Sequence, residues 1–343
     1  MIPSNICFGL VLLFQTGVGV LANLFLLSLY SFSFLISHIG KPINLIIVHL
    51  ILANIIMLLS KGGPETVIAL SGENFLNDIG CKLVFFFHRV SQALSICFTC
   101  YLCNFQAIIL SPPGSRWAKF KARASEHIMP FCIFCCIFNL LIEIPVIVSL
   151  TGPRTLNNRT YEFNFSHCSL LRHIDAYWIL ATLRNVLCIG LLLWAGGNMV
   201  FLLRRHHQQV QSIHSTILSA RASPEVKATQ IILQLVSTFV FFYLLSSIVS
   251  ICVNHFYQHR FWLLPVNAFL NLCFPTFSPF VLIPPGTIIC PGFCQGQTIH
   301  STSLSARASP EVKAAQTVLQ LVSTFLFFYL LSSIFVICNS YFY

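Results

Sequence analysis

Apolar runs set the rhythm of the chain. Seven of them fall at about residues 6–30, 43–60, 82–107, 129–150, 177–203, 228–252 and 261–283, and an eighth lies near 315–338. A hydrocarbon core of about 30 Å needs roughly 20 apolar residues per helix, so the pattern predicts a series of membrane-spanning helices. The second run is short, and the third is interrupted by His88 and Arg89. The first Lys or Arg is Lys41. The first run therefore lacks the basic flank of a secretory leader and is expected to stay as a first span.

Composition agrees with this pattern. Of 343 residues, 56% are hydrophobic and 8% charged, with a mean hydropathy of +0.82. Soluble domains carry about 25% charged residues, so a soluble enzyme, a nucleic-acid-binding domain and a disordered chain are excluded. The net charge of +10 sits in short loops between spans and implies no nucleic acid. With the N-terminus outside, the inner loops hold nine cations: Lys41, Arg116, Lys119, Lys121, Arg123, Arg204, Arg205, Arg221 and Lys227. The outer loops and span edges hold six (Lys61, Lys82, Arg154, Arg159, Arg172 and Arg260), together with most of the acids. Cytoplasmic loops are enriched in cations, which favours an external N-terminus.

The loop between spans four and five is then external. It carries two glycosylation sequons, at Asn158 and Asn164. Cys168 lies in the same loop and Cys81 at the outer start of span three. Both face an oxidising compartment, and a disulfide between them is predicted. Most of the other cysteines lie in apolar runs, where Cys acts as a small hydrophobe.

Charges inside spans are costly and mark functional sites. Arg89, Glu143 and Arg184 each lie roughly 10–14 Å below the outer end of their helix, at a rise of 1.5 Å per residue. Three helices thus place charge at one depth, where an outward-opening ligand pocket would lie, and His88 and Asn185 add hydrogen-bonding groups there. The competing reading is a buried ion pair that only holds helices together. One acid cannot neutralise two arginines, so the surplus favours an anionic or strongly polar ligand.

Towards the inner face, Ser223-Pro224-Glu225 is a helix-start signature. It extends span six into the cytosol and sets Arg221, Glu225 and Lys227 where a cytosolic partner could dock; an ordinary positive-inside flank is the plainer reading. In span seven, Pro275 and Pro279 remove backbone donors, and neighbours or Ser/Thr hydroxyls are expected to satisfy the freed carbonyls. No catalytic residue, metal-ligand set or cofactor motif emerges; there is no His-Glu-x-x-His and no paired Asp. A small-solute transporter should show polar groups through several spans, whereas here the charges stop at one depth.

Several stretches resemble one family. They are Gln15-Thr16-Gly17-Val18-Gly19 with Ala22-Asn23, His49-Leu50-Ile51-Leu52-Ala53-Asn54, Gly80-Cys81-Lys82-Leu83-Val84-Phe85, Ser223-Pro224-Glu225 through Leu235-Val236-Ser237-Thr238-Phe239, and Phe274-Pro275-Thr276 with Ser278-Pro279-Phe280. In order from about residue 5 to 283, they look like vomeronasal type-1 receptors. The resemblance implies an all-α membrane protein, a seven-transmembrane-helix receptor bundle. It also implies a small pheromone-like ligand, a heterotrimeric G protein of the inhibitory class, the Cys81–Cys168 bridge and a glycosylated external loop, in the plasma membrane. Asn104-Phe105-Gln106 stands where most rhodopsin-like receptors carry an acid-Arg-Tyr triplet, an absence that suits the family.

The chain departs from the family after span seven. The resemblance implies a receptor domain over 1–283 with a short basic tail. Residues 284–343 instead contain a repeat: 299–338 copy 213–252 at an offset of 86, with 33 of 40 positions identical. Two copies do not make a solenoid, so this is a partial duplication. It supplies a candidate eighth hydrophobic helix. A misassembled gene model or a non-functional product of a decaying locus is the alternative.

Overall fold

The computed structural model describes residues 4–36, 42–72, 75–111, 121, 123–124, 126–151, 163–165, 168–170, 175–213, 224–256 and 263–283. Among them, seven helices are long and apolar enough to cross a membrane, over Ile6–Phe32, Ile43–Ser71, Asp78–Leu110, Ile128–Pro145, Ile179–Leu203, Ala228–Ser250 and Leu263–Leu282. The candidate eighth span lies outside the described residues. Residues Met1–Ser278 form one compact unit.

Helix α1 spans Ser4–Ile36, α2 Pro42–Met57 and α3 Gly63–Ser71. Here the structure departs from the expectation that span two stops near residue 60. A π-helical turn over Leu58–Gly62 joins α2 to α3, so one span runs to Ser71. The Gly62-Gly63-Pro64 sequence reads as a break. Pro64, however, lands in the first turn of α3 directly after the π turn, and the chain stays helical through it. Lys61 and Glu65, expected in an external loop, instead form an i,i+4 ion pair at 3.2 Å within this span. Gly72 ends it in the left-handed region, at φ 70°, its N–H returning to Ile68 O at 2.9 Å.

Span three is α4, Asp78–Leu110. Asn77 caps it by accepting from Gly80 N at 2.7 Å, and Lys82 pairs with Asp78 at 2.9 Å. Helix α5 covers Ile128–Ser149 and α6 covers Asp175–Ile213, extending ten residues past the apolar run and through Arg204 and Arg205. Helix α7, Pro224–Phe256, starts where the Ser-Pro-Glu signature predicts, and α8 spans Leu263–Leu282.

Three short strands interrupt this all-α architecture: β1 Leu150–Thr151, β2 Phe163–Phe165 and β3 Cys168–Leu170, in the order β1-β3-β2 and all antiparallel. Six sequon-loop residues supply two of them, with Asn164 opposite Ser169 and Phe165 opposite Cys168. Segments this short carry no legible alternation, so the sequence reading missed them.

Polar residues tie the apolar helices together. With no water in the bilayer core, unsatisfied polar groups are costly. Asn54 donates to Ser278 Oγ at 2.9 Å and accepts from Ser95 at 3.1 Å, joining α2, α4 and α8. Gln15 donates to Phe269 O at 3.1 Å. Pro279 cannot donate to Pro275 O, and Asn23 of α1 fills the vacancy at 2.9 Å, as expected for a carbonyl freed by proline. Thr276 donates back to Leu272 O at 2.7 Å. Gln106, near the C-terminal end of α4, donates to Thr229 of α7 at 3.0 Å, both side chains being buried.

Candidate functional site

The three predicted intramembrane charges meet. Glu143 on α5 has no solvent exposure. Its Oε1 accepts from Arg184 Nη1 of α6 at 3.1 Å, and its Oε2 accepts from Tyr177 Oη of α6 at 2.5 Å. Arg89 on α4 approaches Oε2 with its Nε at 3.6 Å and donates from the same atom to Tyr177 Oη at 3.1 Å. One carboxylate on α5 is thus shared by two guanidinium groups and a phenol from α4 and α6. Charged side chains tolerate this depth only when so paired.

Around this group, Asn139 Oδ1 accepts from Arg184 Nη1 at 3.0 Å, and Asn185 Oδ1 accepts from Arg184 Nε at 3.2 Å. His88 is buried beside Arg89 in sequence, and its Nδ1 has no hydrogen-bond partner. The depth arithmetic brought Arg89, Glu143, Arg184 and Asn185 together. It missed Tyr177 and Asn139. Tyr177 lies one residue into its expected span and reads as an interfacial aromatic, while a neutral Asn139 carries no signal in an apolar run.

A second feature adjoins the ion group. Arg89 Nη1 lies 3.4 Å from Gln92 Oε1, and Gln92 Nε2 lies 3.4 Å from Asn271 Oδ1 on α8. Asn271 donates to Asn267 O at 2.7 Å, and Ser250 of α7 donates to Asn267 Oδ1 at 2.9 Å. This polar chain runs from the ions across to α7 and α8. It borders a cavity with about 330 Å³ of free space, its open mouth included. The walls are aromatic and aliphatic (Phe239, Phe242, Phe274, Leu270, Ile96, Met57), with Gln92, Ser95, Tyr243, Ser246 and Asn271 as neutral polar groups. Ligand sites are of this type, mostly apolar with a few convergent polar groups. None of the five predicted ligand residues lines this cavity; Gln92 connects them to it.

The other predicted residues fall as follows. Cys81 is buried and disulfide-bonded, and Cys168 opens β3. Asn164 is the central residue of β2, while Asn158 lies outside the described residues. Glu225 and Lys227 stand in the first turn of α7; Arg221 lies outside the described residues.

A polytopic bundle of seven apolar helices with a buried ionic group defines a class, and comparison of structures agrees. The fold matches that of squid rhodopsin with a TM-score of 0.62 at 14% identity, covering 81% of this chain and 76% of that one. Sequence comparison narrows the class. The vomeronasal organ pheromone receptor family matches over residues 6–293 and again over 286–343. Vomeronasal type-1 receptor 3 of Homo sapiens is 41% identical over 289 residues, covering 82% of this chain and 92% of that protein. Vomeronasal type-1 receptor 1 of Gorilla gorilla gorilla is 38% identical over 284 residues, covering 82% and 80%. Olfactory receptor class A-like protein 1 of Danio rerio is 28% identical over 280 residues, covering 80% and 88%. The chain belongs to the vomeronasal organ pheromone receptor family. It is a multi-pass membrane protein whose family and fold are those of G-protein-coupled chemoreceptors, which are not enzymes.

Proposed function

We propose that this chain is a plasma-membrane chemoreceptor with an external N-terminus, which binds a small pheromone-like molecule in the outer half of its bundle and activates a heterotrimeric G protein of the inhibitory class. The ligand contacts the region of His88, Arg89, Glu143, Arg184 and Asn185, and its presence is passed to α7 and α8. One observation supports this most directly: the polar chain Arg89–Gln92–Asn271–Asn267–Ser250, which links the ion group to α7 and α8. Both contacts of Gln92 are long, 3.4 Å each. A ligand group inserted there would exchange weak bonds for good ones.

On the inner side, Arg221, Glu225 and Lys227 face the G protein. On the outer side, Cys168 is the partner of Cys81, and Asn158 and Asn164 carry glycans.

The test uses cells expressing the full chain, screened with a panel of small neutral and anionic molecules and read by G-protein activation. Arg89→Ala and Gln92→Leu should abolish or reshape the response at unchanged surface level, and pertussis toxin should block it. Responses untouched by both substitutions would place the ligand elsewhere. A non-signalling product of a duplicated gene is the second reading, favoured by the second family match over 286–343. Full-length cDNA from sensory tissue, read across 270–343, separates the two.

A further inference from the structure

Beyond the ion group and the cavity, the bundle holds a cluster of free thiols. Cys97, Cys100 and Cys103 follow one another along α4; Cys132, Cys135 and Cys136 stand on α5; Cys188 stands on α6. In apolar spans cysteine is ordinarily a small packing residue. Cys103 and Cys273 fit that description: both are fully buried, and each donates its S–H to a backbone carbonyl, to Leu192 O at 3.7 Å and to Phe269 O at 3.3 Å.

Cys97 is placed differently. Its Sγ lies 3.8 Å from Cys188 Sγ, sulfur against sulfur across α4 and α6. It also accepts from the Asn139 amide at 3.6 Å. Asn139 is held from two sides, donating to Cys135 O at 2.7 Å and accepting from Arg184 at 3.0 Å. The amide therefore keeps the Cys97 sulfur in position. Cys135 sits beside Cys97 and Cys100 beside Cys188 as neighbouring thiols. Cys188 is half-buried, so the pair has one side within reach of small molecules.

We propose that Cys97 and Cys188 form an oxidation site, in which an organic or lipid hydroperoxide joins the two thiols as a disulfide that ties α4 to α6. A disulfide bond is about 2.03–2.05 Å long, so the two sulfurs, now 3.8 Å apart, need to close by somewhat under 2 Å. A hydroperoxide is the oxidant class that dissolves at this depth. In the first step Cys97 S–H takes one oxygen from R–O–O–H. The O–O bond breaks, sulfur is oxidised to the sulfenic acid S–OH, and R–OH leaves. In the second step the Cys188 sulfur attacks that sulfur. The S–S bond forms, the S–O bond breaks, and the hydroxyl leaves with the Cys188 proton as water. A reducing thiol reverses the bond by exchange. The link lies one asparagine away from Arg184 and Glu143, so it clamps α6 beside the ion group.

The test treats membranes bearing the full-length protein with cumene hydroperoxide, denatures them in N-ethylmaleimide, digests them and maps the peptides by mass. The expected result is a dithiothreitol-sensitive pair joining the Cys97 and Cys188 peptides in the majority of molecules. Cys103 and Cys273 should be alkylated as in untreated membranes. In Cys188→Ser the pair should vanish. Should that variant fail to reach the surface, the unsubstituted peptide map decides alone. The proposal is overturned if Cys97 and Cys188 are both alkylated as fully as before treatment while the half-buried Cys252 has oxidised. A Cys97 link to Cys135, or to any thiol other than Cys188, overturns it equally.

Discussion

At Glu143 a carboxylate without solvent exposure relies on Arg184, Tyr177 and Arg89 for what water would otherwise supply. The desolvation cost of such a group is offset only while its partners stay in place, and removing one partner of a buried pair costs about 3–5 kcal/mol. Arg184→Ala should therefore lower surface expression sharply, whereas the double substitution Glu143→Met with Arg184→Met should recover most of it; surface immunolabelling and thermal stability in detergent measure both. Arg89 is more exposed, at 18% of its side chain against 6% for Arg184, so Arg89→Ala should keep its surface level. The same reasoning applies to Asn54. Its amide is buried and serves both Ser95 and Ser278, so Asn54→Ala should cost about 1–3 kcal/mol, measured as a fall in melting temperature.

Among the elements, span two shows how a helix passes a sequence that reads as a break. A Cβ on Gly62 would collide with Thr16 Oγ1, so glycine at the π turn is what lets α1 approach. Gly62→Ala should destabilise the α1–α2 contact, and Thr16→Ala, which removes the two nearest atoms and leaves only Cβ at 3.1 Å, should rescue part of the loss; thermal stability of the single and double variants decides. Span six raises a different question, because its sequence occurs twice. The copy is not neutral with respect to packing. It has Ala315 where the first has Thr229, and Val336 where the first has Ser250. Those two hydroxyls make the side-chain bonds to Gln106 on α4 and Asn267 on α8. The first copy therefore holds the polar contacts that fit this slot. Thr229→Ala with Ser250→Val should weaken the bundle by about 0.6 kcal/mol per lost bond, read as a lower surface level and melting temperature than wild type.

For the whole molecule, 14% identity to squid rhodopsin is compatible with a shared fold because seven apolar lengths and short loops constrain a bundle more than residue identities do. The residues Met1–Ser278 already form a compact unit. A chain ending after Ile283 should consequently reach the surface as well as the full-length protein does, which flow cytometry of tagged versions checks; a large loss would make residues 284–343 necessary for folding. The seven spans among the described residues, the start of α7 at Pro224 and the common depth of Arg89, Glu143 and Arg184 were legible in the linear sequence. Hydrophobic length and helical rise are local quantities, and each of these readings needs nothing more. The sequence alone also identified the family, through stretches such as those around Asn54 and Ser223. Tertiary structure was needed for whatever depends on which helix faces which. Charge counting left a surplus cation and pointed to an anionic or strongly polar ligand; that Glu143 is shared between both arginines and joined by Tyr177 was visible only in the folded chain. The cavity walls came from four different helices and carried no charge that a linear reading could flag. The continuation of span two past Pro64 likewise depended on α1 lying against Gly62. Side-chain partners across a bundle are set by helix rotation and packing, and no spacing rule within one segment contains that information.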